Sequence, residues 1–177
     1  MNSHYGITQG SPTIEPKIIV LHWTAIPSLD ASFNAFVNTE IGSHRTKINT
    51  ASNLNVSAQF LVDLDGTIYR LMPENFMARH VIGLNYSAIG IENVGGTDST
   101  PLTEKQVASN IWLVTYLKDK YDIDYLIGHY EYTNFENHEL WLEKDSGYRT
   151  KKTDPGKHFL LQIKKATKHL NFKETPN

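Results

Sequence analysis

The sequence contains no cysteine, no long apolar run and no excess of one charge. Without cysteine the chain has neither disulfides nor thiolate ligands, so a metal site must use histidine and carboxylate side chains. The 17 basic and 19 acidic residues give a formal net charge of −2, which does not fit the basic face of a nucleic-acid-binding protein. No apolar segment approaches the roughly 20 residues of a transmembrane helix. We therefore expect neither a nucleic-acid partner nor a membrane span.

Residues 1–16 are polar and include Gly, Ser, Thr and Pro, without the apolar centre of a signal peptide. They predict an extended lead-in. Because such a polar segment is typical of the chain just after a cleaved export signal, we expect the protein in the cell envelope or outside the cell. A cytoplasmic location stays open.

The remaining sequence alternates between short apolar runs and helical patterns, as expected for one α/β domain. Asp65-Gly66 is a strong hairpin signal, and Thr103 with Gln106 has the spacing of a capping box. We predict a mixed central sheet with helices on its faces, a domain at 17–172 and a polar tail at 173–177. The predicted strands are 17–22, 56–64, 67–71, 88–94 and 125–129, and the predicted helices are 28–39, 103–121 and one starting at 154.

Two histidines, His22 and His129, each end an apolar predicted strand. Functional groups gather at strand ends, and neutral imidazole is the commonest metal ligand in proteins. Taken singly, however, each ring is more often a hydrogen-bonded residue at the rim of the core. The matching positions favour a shared site without deciding it.

Asp154 could supply a third ligand, since two imidazoles and a carboxylate leave one tetrahedral position for water. The Asp154-Pro155 pair is also typical of a helix start, with the aspartate as N-cap and the proline as first helical residue. One carboxylate oxygen could cap the helix while the other binds a metal.

Glu92 lies in the apolar segment 89–94, where a carboxylate is costly unless it is paired or faces a cavity. That setting suits a general base or acid, although a solvated strand face is an equal alternative. Lys152 precedes Asp154 by two residues and could stabilise an oxyanion in the same crevice. Its neighbour Lys151 favours an ordinary solvated loop instead.

Six motifs together resemble the zinc N-acetylmuramoyl-L-alanine amidases of the type-2 amidase and peptidoglycan-recognition-protein superfamily. The resemblance covers roughly residues 17–170, and the motifs occur in the family order. They are Ile-Val-Leu-His22-Trp-Thr-Ala, Val56-Ser-Ala-Gln-Phe-Leu-Val-Asp-Leu-Asp-Gly66, Ala78-Arg-His80-Val-Ile-Gly, Ile89-Gly-Ile-Glu92, Leu126-Ile-Gly-His129 and Lys152-Thr-Asp154-Pro-Gly156.

The resemblance implies a role for each matched residue. It implies that His22, His129 and Asp154 bind Zn²⁺, that Glu92 is the catalytic base, and that Lys152 steadies the oxyanion. It also implies that His80 lines the substrate groove. The substrate-binding residues predicted along with His80 are Trp23, Gln59 and Asn93.

The sequence departs from the family pattern at three places. Gln59 stands where the family often has histidine, and Ala58 stands where phage and animal relatives have a tyrosine, which increases the reliance on Glu92 as base. The segment between His129 and Asp154 is longer than in compact members. Its aromatic residues predict a groove wall that sets specificity.

The function implied is zinc-dependent hydrolysis of the amide between the lactyl group of N-acetylmuramic acid and L-alanine. Peptidoglycan or soluble muropeptides are the expected substrates, and we expect a monomer. Two alternatives stay open at this point: a metal-free module that only binds peptidoglycan, and a zinc hydrolase of another amide.

Overall fold

A computed structural model describes residues 11–37, 55–145 and 147–176 of the chain. These form a mixed five-stranded sheet with helices packed on it, which confirms the predicted fold class. Residues 1–10 of the predicted lead-in, the last two residues of the predicted helix 28–39 and residue 177 lie outside the described residues. The domain boundaries stay a prediction.

The five strands run in the spatial order β3-β2-β4-β1-β5. Neighbouring strands are parallel, except in the β2–β3 hairpin, which is antiparallel as Asp65-Gly66 predicts. The strands are β1 (Ile18–Leu21), β2 (Phe60–Val62), β3 (Ile68–Arg70), β4 (Ala88–Asn93) and β5 (Tyr125–Gly128). β2 is much shorter than the predicted strand 56–64.

Within the described residues, three α-helices accompany the sheet: α1 (Leu29–Val37), α2 (Glu104–Lys120) and α3 (Lys157–Ala166). The predicted capping box of α2 is confirmed, since the Thr103 hydroxyl accepts from the Gln106 amide and the Gln106 side chain accepts from the Thr103 amide. Among the described residues, no helix is both long enough and apolar enough to cross a membrane.

Alternation along the buried strands divides the core into two layers. Ile19 and Leu21 of β1 pack with residues of α2 and α3, whereas Ile18 and Val20 pack under the segments that follow β3 and β5. His22, the first residue after β1, alternates onto the same face as Val20. Its side chain therefore faces the side of the sheet opposite to α2.

The segment after β5 differs from the predicted aromatic loop. His129–Phe135 forms a short 3-10 helix, and its Tyr132 and Phe135 are fully buried beside Tyr125. The Tyr132 hydroxyl also bonds the backbone of Thr150. These two rings are therefore core residues and not part of a groove wall, because they fill the sheet face opposite to α2 and α3.

Asp154 does not cap the last helix, which corrects one alternative for this residue. Helix α3 begins at Lys157, its N-cap is Gly156, and no side chain caps it. The Asp154-Pro155 pair instead forms a turn that brings the carboxylate toward the ends of β1 and β5. The carboxylate is thus available for another role.

Glu74 fixes the chain between β3 and His80 to the carboxyl-terminal half of α2. This buried carboxylate accepts hydrogen bonds from Tyr116, Tyr121 and Lys120, at 3.0, 3.1 and 2.8 Å. Burial raises the pKa of Glu74, but the bonds from Lys120, Tyr116 and Tyr121 outweigh it and leave the pKa below its ordinary value. The carboxylate therefore stabilises the fold in its ionised form.

We expect Glu74→Gln to lower the free energy of unfolding by about 2 kcal/mol at pH 7, because it weakens charge-assisted bonds to a buried group. A carboxyl whose folded pKa is depressed contributes above its unfolded pKa of about 4.3 and loses that contribution as the pH falls. In urea titrations, the difference in unfolding free energy between wild type and Glu74→Gln should be smaller at pH 3.5 than at pH 7. Glu136→Gln, which alters a half-exposed pair with Arg149, is the matched control. Equal midpoints for wild type and Glu74→Gln at pH 7 would contradict this role.

Candidate active site

His22, His129 and Asp154 converge at the carboxyl ends of β1 and β5. The His22 and His129 Nδ1 atoms lie 2.9 Å apart, and the Asp154 Oδ2 atom lies 3.1 and 3.0 Å from them. All three residues are buried, with His22 only 1% exposed. His22 thus meets two residues that lie more than a hundred positions further along the chain.

The sheet explains why the two imidazoles meet. Leu21 at the end of β1 pairs with Gly128 at the end of β5, so the next residue of each strand is a histidine at the same height. The backbone of His22 is further held by Ile91 and Asn93 of β4, through bonds of 2.9 and 3.2 Å. Parallel pairing therefore places both rings at one edge of the sheet.

The chemistry of this cluster fits a divalent metal ion such as Zn²⁺. Burial first, then the neighbouring His22, lowers the pKa of His129 to about 4, although Asp154 acts in the opposite direction. Burial raises the pKa of Asp154, but its contacts with His129 and His22 outweigh burial and lower the pKa. The cluster thus offers a neutral imidazole and an ionised carboxylate, the forms in which these groups bind metals.

The spacing of the three atoms also fits the ion. Ligand atoms that share a tetrahedral Zn²⁺ at 2.0–2.2 Å lie roughly 3.3 Å apart, which is close to the separations of 2.9, 3.0 and 3.1 Å found here. His22, His129 and Asp154 are also a group of three whose ligand atoms are close enough together to hold one ion. Three protein ligands leave a fourth position open, as in catalytic zinc sites.

His80 lies against the metal-ligand candidate His22. Its Nδ1 atom is 3.0 Å from His22 Nε2, and its ring stands edge-on to the His22 ring. Burial, followed by the neighbouring His22 and His129, holds the pKa of His80 well below its usual value, against the opposing bond to Ala88. His80 is buried, and contact of His80 with a substrate stays a prediction.

Glu92 lies on β4 beside His22, and it is 8% exposed. The backbone of His22 bonds to the residues on either side of Glu92, so the two residues are neighbours across the β1–β4 pair. A Cβ at Gly90, two residues earlier on the same face, would touch the His80 ring. Glu92 therefore faces the side of the sheet that carries the histidine cluster, and the alternative of a solvated strand face is excluded.

Lys152 lies close enough to the cluster for its charge to act on it. It is partly buried, and its ammonium group contributes to the lowered pKa of His129. Lys151 beside it is exposed. Of the two adjacent lysines, Lys152 thus lies near the site and Lys151 lies in solvent.

The predicted substrate contacts Asn93 and Gln59 are fully buried. Asn93 donates to the His22 carbonyl at 2.9 Å and accepts from Asn110 of α2 at 2.7 Å. Gln59 donates to the Phe76 carbonyl and accepts from the Gly90 amide, both at 2.7 Å. Because their side chains bond the protein itself and have no exposed surface, both residues support the site from within.

Trp23 is partly buried between two glycines. A Cβ at Gly96 would lie 2.4 Å from the indole, and one at Gly156 would lie 3.3 Å from it. Gly96 also has a φ of 93°, which disfavours any other residue. Trp23 thus packs next to the turn that carries Asp154, and its contact with a substrate stays a prediction.

Sequence reasoning did not find Asn110 or the His80–His22 contact. Asn110 lies on the buried face of α2. The available signal was that a buried polar side chain needs a hydrogen-bond partner. For His80 the signal was Gly90, because a glycine within a strand often marks a place where another group packs closely against the backbone. Neither signal identifies the partner.

The chain is similar to several solved amidase and recognition-protein structures. The amidase LysC from Clostridium intestinale is 26% identical, with 92% of this chain and 90% of that chain covered and a TM-score of 0.61. The human recognition protein PGRP-IBETAC, in complex with glycosamyl muramyl pentapeptide, is 18% identical over 92% of both chains, with a TM-score of 0.59. The E. coli amidase AmiD, in complex with an anhydro-muropeptide substrate, is 20% identical with a TM-score of 0.58, covering 89% of this chain and 61% of that one.

No curated protein matches the sequence. The sequence model of the family described as N-acetylmuramoyl-L-alanine amidase, however, matches residues 12–157, which include every candidate site residue. A match over that length establishes membership: the chain belongs to the N-acetylmuramoyl-L-alanine amidase family and is a peptidoglycan amidase.

Proposed function

We propose that this protein hydrolyses the amide bond between the lactyl group of N-acetylmuramic acid and L-alanine, using one Zn²⁺ held by His22, His129 and Asp154. The observation that carries the proposal is the convergence of these three ligand atoms, each 2.9–3.1 Å from the other two, at one end of the sheet. The chemistry that a bound Zn²⁺ supplies is Lewis acidity toward the scissile carbonyl and the attacking water.

Glu92 acts as the general base and then as the general acid. Its carboxylate accepts a proton from the water as the water oxygen bonds to the scissile carbon. The same proton passes to the nitrogen of L-alanine as the carbon–nitrogen bond breaks, leaving an amine and a carboxylic acid. The proton of that acid then passes to the amine, so the final products are a carboxylate and an ammonium group. The position of Glu92 beside His22, on the face that carries the cluster, supports this role.

Lys152 stabilises the negative charge that develops on the scissile oxygen. Its effect on the pKa of His129 supports this role, because that effect requires the ammonium group to lie near the cluster. A fixed positive charge in a site shielded from water is more effective than the same charge in solvent.

The substrate is peptidoglycan or a muropeptide derived from it. LysC, which shares 26% identity over most of both chains, is named as an N-acetylmuramoyl-L-alanine amidase and supports this choice. The enzyme acts as a monomer on wall material in the cell envelope or outside the cell.

Product analysis tests the proposal. Purified zinc-loaded protein is incubated with intact sacculi and, separately, with soluble anhydro-muropeptides, with and without a chelator. We expect mass spectrometry to find free stem peptides that begin with L-alanine. A chelator should abolish their release, and added Zn²⁺ should restore it.

Other outcomes would identify other functions. Binding to sacculi without release of peptide indicates a recognition module, and release that survives complete metal removal contradicts the zinc mechanism. Equal cleavage of unrelated amides in a substrate panel indicates a hydrolase of another specificity.

A further inference from the structure

His80 lies against the cluster of His22, His129 and Asp154, but it is not one of the candidate ligands. It contacts His22 through the ring nitrogen that faces away from His129 and Asp154, at 3.0 Å. If the zinc site is as proposed, this contact lies on the outer side of a metal ligand, where it can control how that ligand presents its lone pair.

The direction of hydrogen bonding through His80 is fixed at its far end. His80 Nε2 lies 3.4 Å from the carbonyl oxygen of Ala88, and a carbonyl can only accept, so Nε2 carries the hydrogen. In the neutral imidazole the other nitrogen, Nδ1, is then an acceptor. His22 must therefore donate from its Nε2, which leaves the lone pair of His22 on Nδ1.

The lone pair of His22 consequently points at the candidate metal position. His22 Nδ1 is the atom that lies 2.9 Å from His129 Nδ1 and 3.1 Å from Asp154 Oδ2. The opposite tautomer would place a hydrogen among the ligand atoms. The Ala88 carbonyl thus selects, through two imidazole rings, the form of His22 that can bind a metal.

His80 is itself held firmly in this orientation. A Cβ at Gly90 would lie 2.7–2.9 Å from three atoms of its ring, so only glycine admits the ring at this distance. The backbone amides of His80 and Val81 both donate to Asn85 Oδ1 at 2.9 Å. Strand and loop together leave the ring little freedom to turn away from His22.

We infer that His80 is a positioning residue that fixes the tautomer of His22 for metal binding, an inference that rests on the proposed function. Its main contribution to the reaction is retention of the metal, and direct contact with the substrate is not needed for it. Partners of this kind, which bond the outer nitrogen of a metal-binding histidine, typically contribute about 10–100-fold to metal affinity.

Two substitutions separate hydrogen bonding from packing. His80→Asn keeps an acceptor on the atom next to Cγ, where Nδ1 stands in histidine, whereas His80→Leu keeps much of the volume without an acceptor. We expect His80→Leu to weaken Zn²⁺ binding about 10–100-fold, and His80→Asn to stay within about threefold of wild type. The measurement is competition for Zn²⁺ against a chromogenic chelator.

His138→Asn is the matched control. His138 is also partly buried and hydrogen-bonded, to the Tyr125 hydroxyl and the Leu140 amide, but it does not contact the cluster. Its replacement should leave Zn²⁺ affinity unchanged. Unchanged affinity in His80→Leu would overturn the inference, and equal losses in His80→Leu and His80→Asn would show that packing and not hydrogen bonding is at work.

A second readout does not depend on the metal. Nitrogen NMR uses the metal-free Asp154→Ala protein, because the Asp154 carboxylate lies 3.1 Å from His22 Nδ1 and would itself attract a hydrogen there. It should show His22 with its hydrogen on Nε2 when residue 80 is His or Asn, and a mixture of tautomers when His80→Leu is added. A hydrogen on His22 Nδ1 in Asp154→Ala with His80 intact overturns the inference. If wild type binds no Zn²⁺, the proposed function fails, while the tautomer measurement still decides the role of His80.

Discussion

Glu92→Gln lowers the rate of stem-peptide release by a factor of about 10²–10⁴ and leaves Zn²⁺ binding unchanged. This result is expected because the amide keeps the shape of the carboxylate but cannot accept a proton from water. Glu92 does not belong to the group of three candidate ligands, so its charge is not needed to hold the ion.

The size of the effect follows from the two proton transfers assigned to Glu92. The carboxylate first accepts the proton of the water and then delivers it to the leaving nitrogen, so one substitution removes both steps. General acid–base catalysis of this kind contributes about 10²–10⁴-fold. The remaining rate comes from the bound ion, from Lys152 and from substrate binding, none of which the substitution removes.

The measurement compares the rate constant at saturating muropeptide with metal content in the same preparation. Glu136→Gln is the matched control, since Glu136 is half-exposed and pairs with Arg149. It should retain the wild-type rate. A Glu92→Gln enzyme with a near-normal rate would exclude Glu92 as the base, and a loss of zinc together with rate would mean that the carboxylate helps to hold the ion.

The sequence allowed the meeting of His22 and His129 to be predicted from general physics. An apolar run of β-branched residues indicates a buried strand, and parallel strands bring their carboxyl ends to one edge of the sheet. His22 and His129 each follow such a strand, and the structure brings them within 2.9 Å. This part of the site depends only on strand order.

For Asp154 the sequence pattern left two alternatives open, and only the family resemblance favoured metal binding. It lies 25 residues beyond His129, and its local signal favoured the cap of a helix. The structure begins that helix at Lys157 and turns the carboxylate toward the histidines instead. Local helix-start chemistry and metal binding use the same residue type, so the sequence pattern alone could not separate them.

The burial of Tyr132 and the contact of His80 with His22 could not be predicted for a different reason. Both depend on which segment covers the sheet face opposite α2, and 3-10 turns and loops carry no periodic pattern that reveals it. His80 is 58 residues from His22, and only the packing of its loop onto Gly90 brings the rings together. Such contacts are properties of the tertiary structure.

His22→Ala abolishes Zn²⁺ retention and reduces peptide release to the level of chelator-treated wild type. Loss of a direct ligand removes a bond to the ion, so affinity should fall by more than the roughly 10–100-fold expected when only an outer partner such as His80 is changed. The two remaining groups, His129 and Asp154, form an incomplete set for a catalytic zinc site.

His22→Ala should also remove the stabilisation that Zn²⁺ gives to the folded protein. A ligand that binds the folded state alone stabilises it by about 2.7 kcal/mol at a concentration 100 times its Kd. Wild type should therefore melt at a higher temperature with added Zn²⁺, whereas His22→Ala should show no such shift. In the metal-free state, removal of the ring also relieves the crowding of three acceptor atoms, which offsets part of the lost packing.

His158→Ala is the control, because His158 is an exposed histidine on α3, four residues from Asp154 in sequence. It should keep full zinc content, the Zn²⁺-dependent rise in melting temperature and the wild-type rate. If His22→Ala retains a full equivalent of zinc and melts higher with added metal, His22 is not a ligand. The ion must then be held elsewhere, and the assignment of His80 as its positioning partner fails with it.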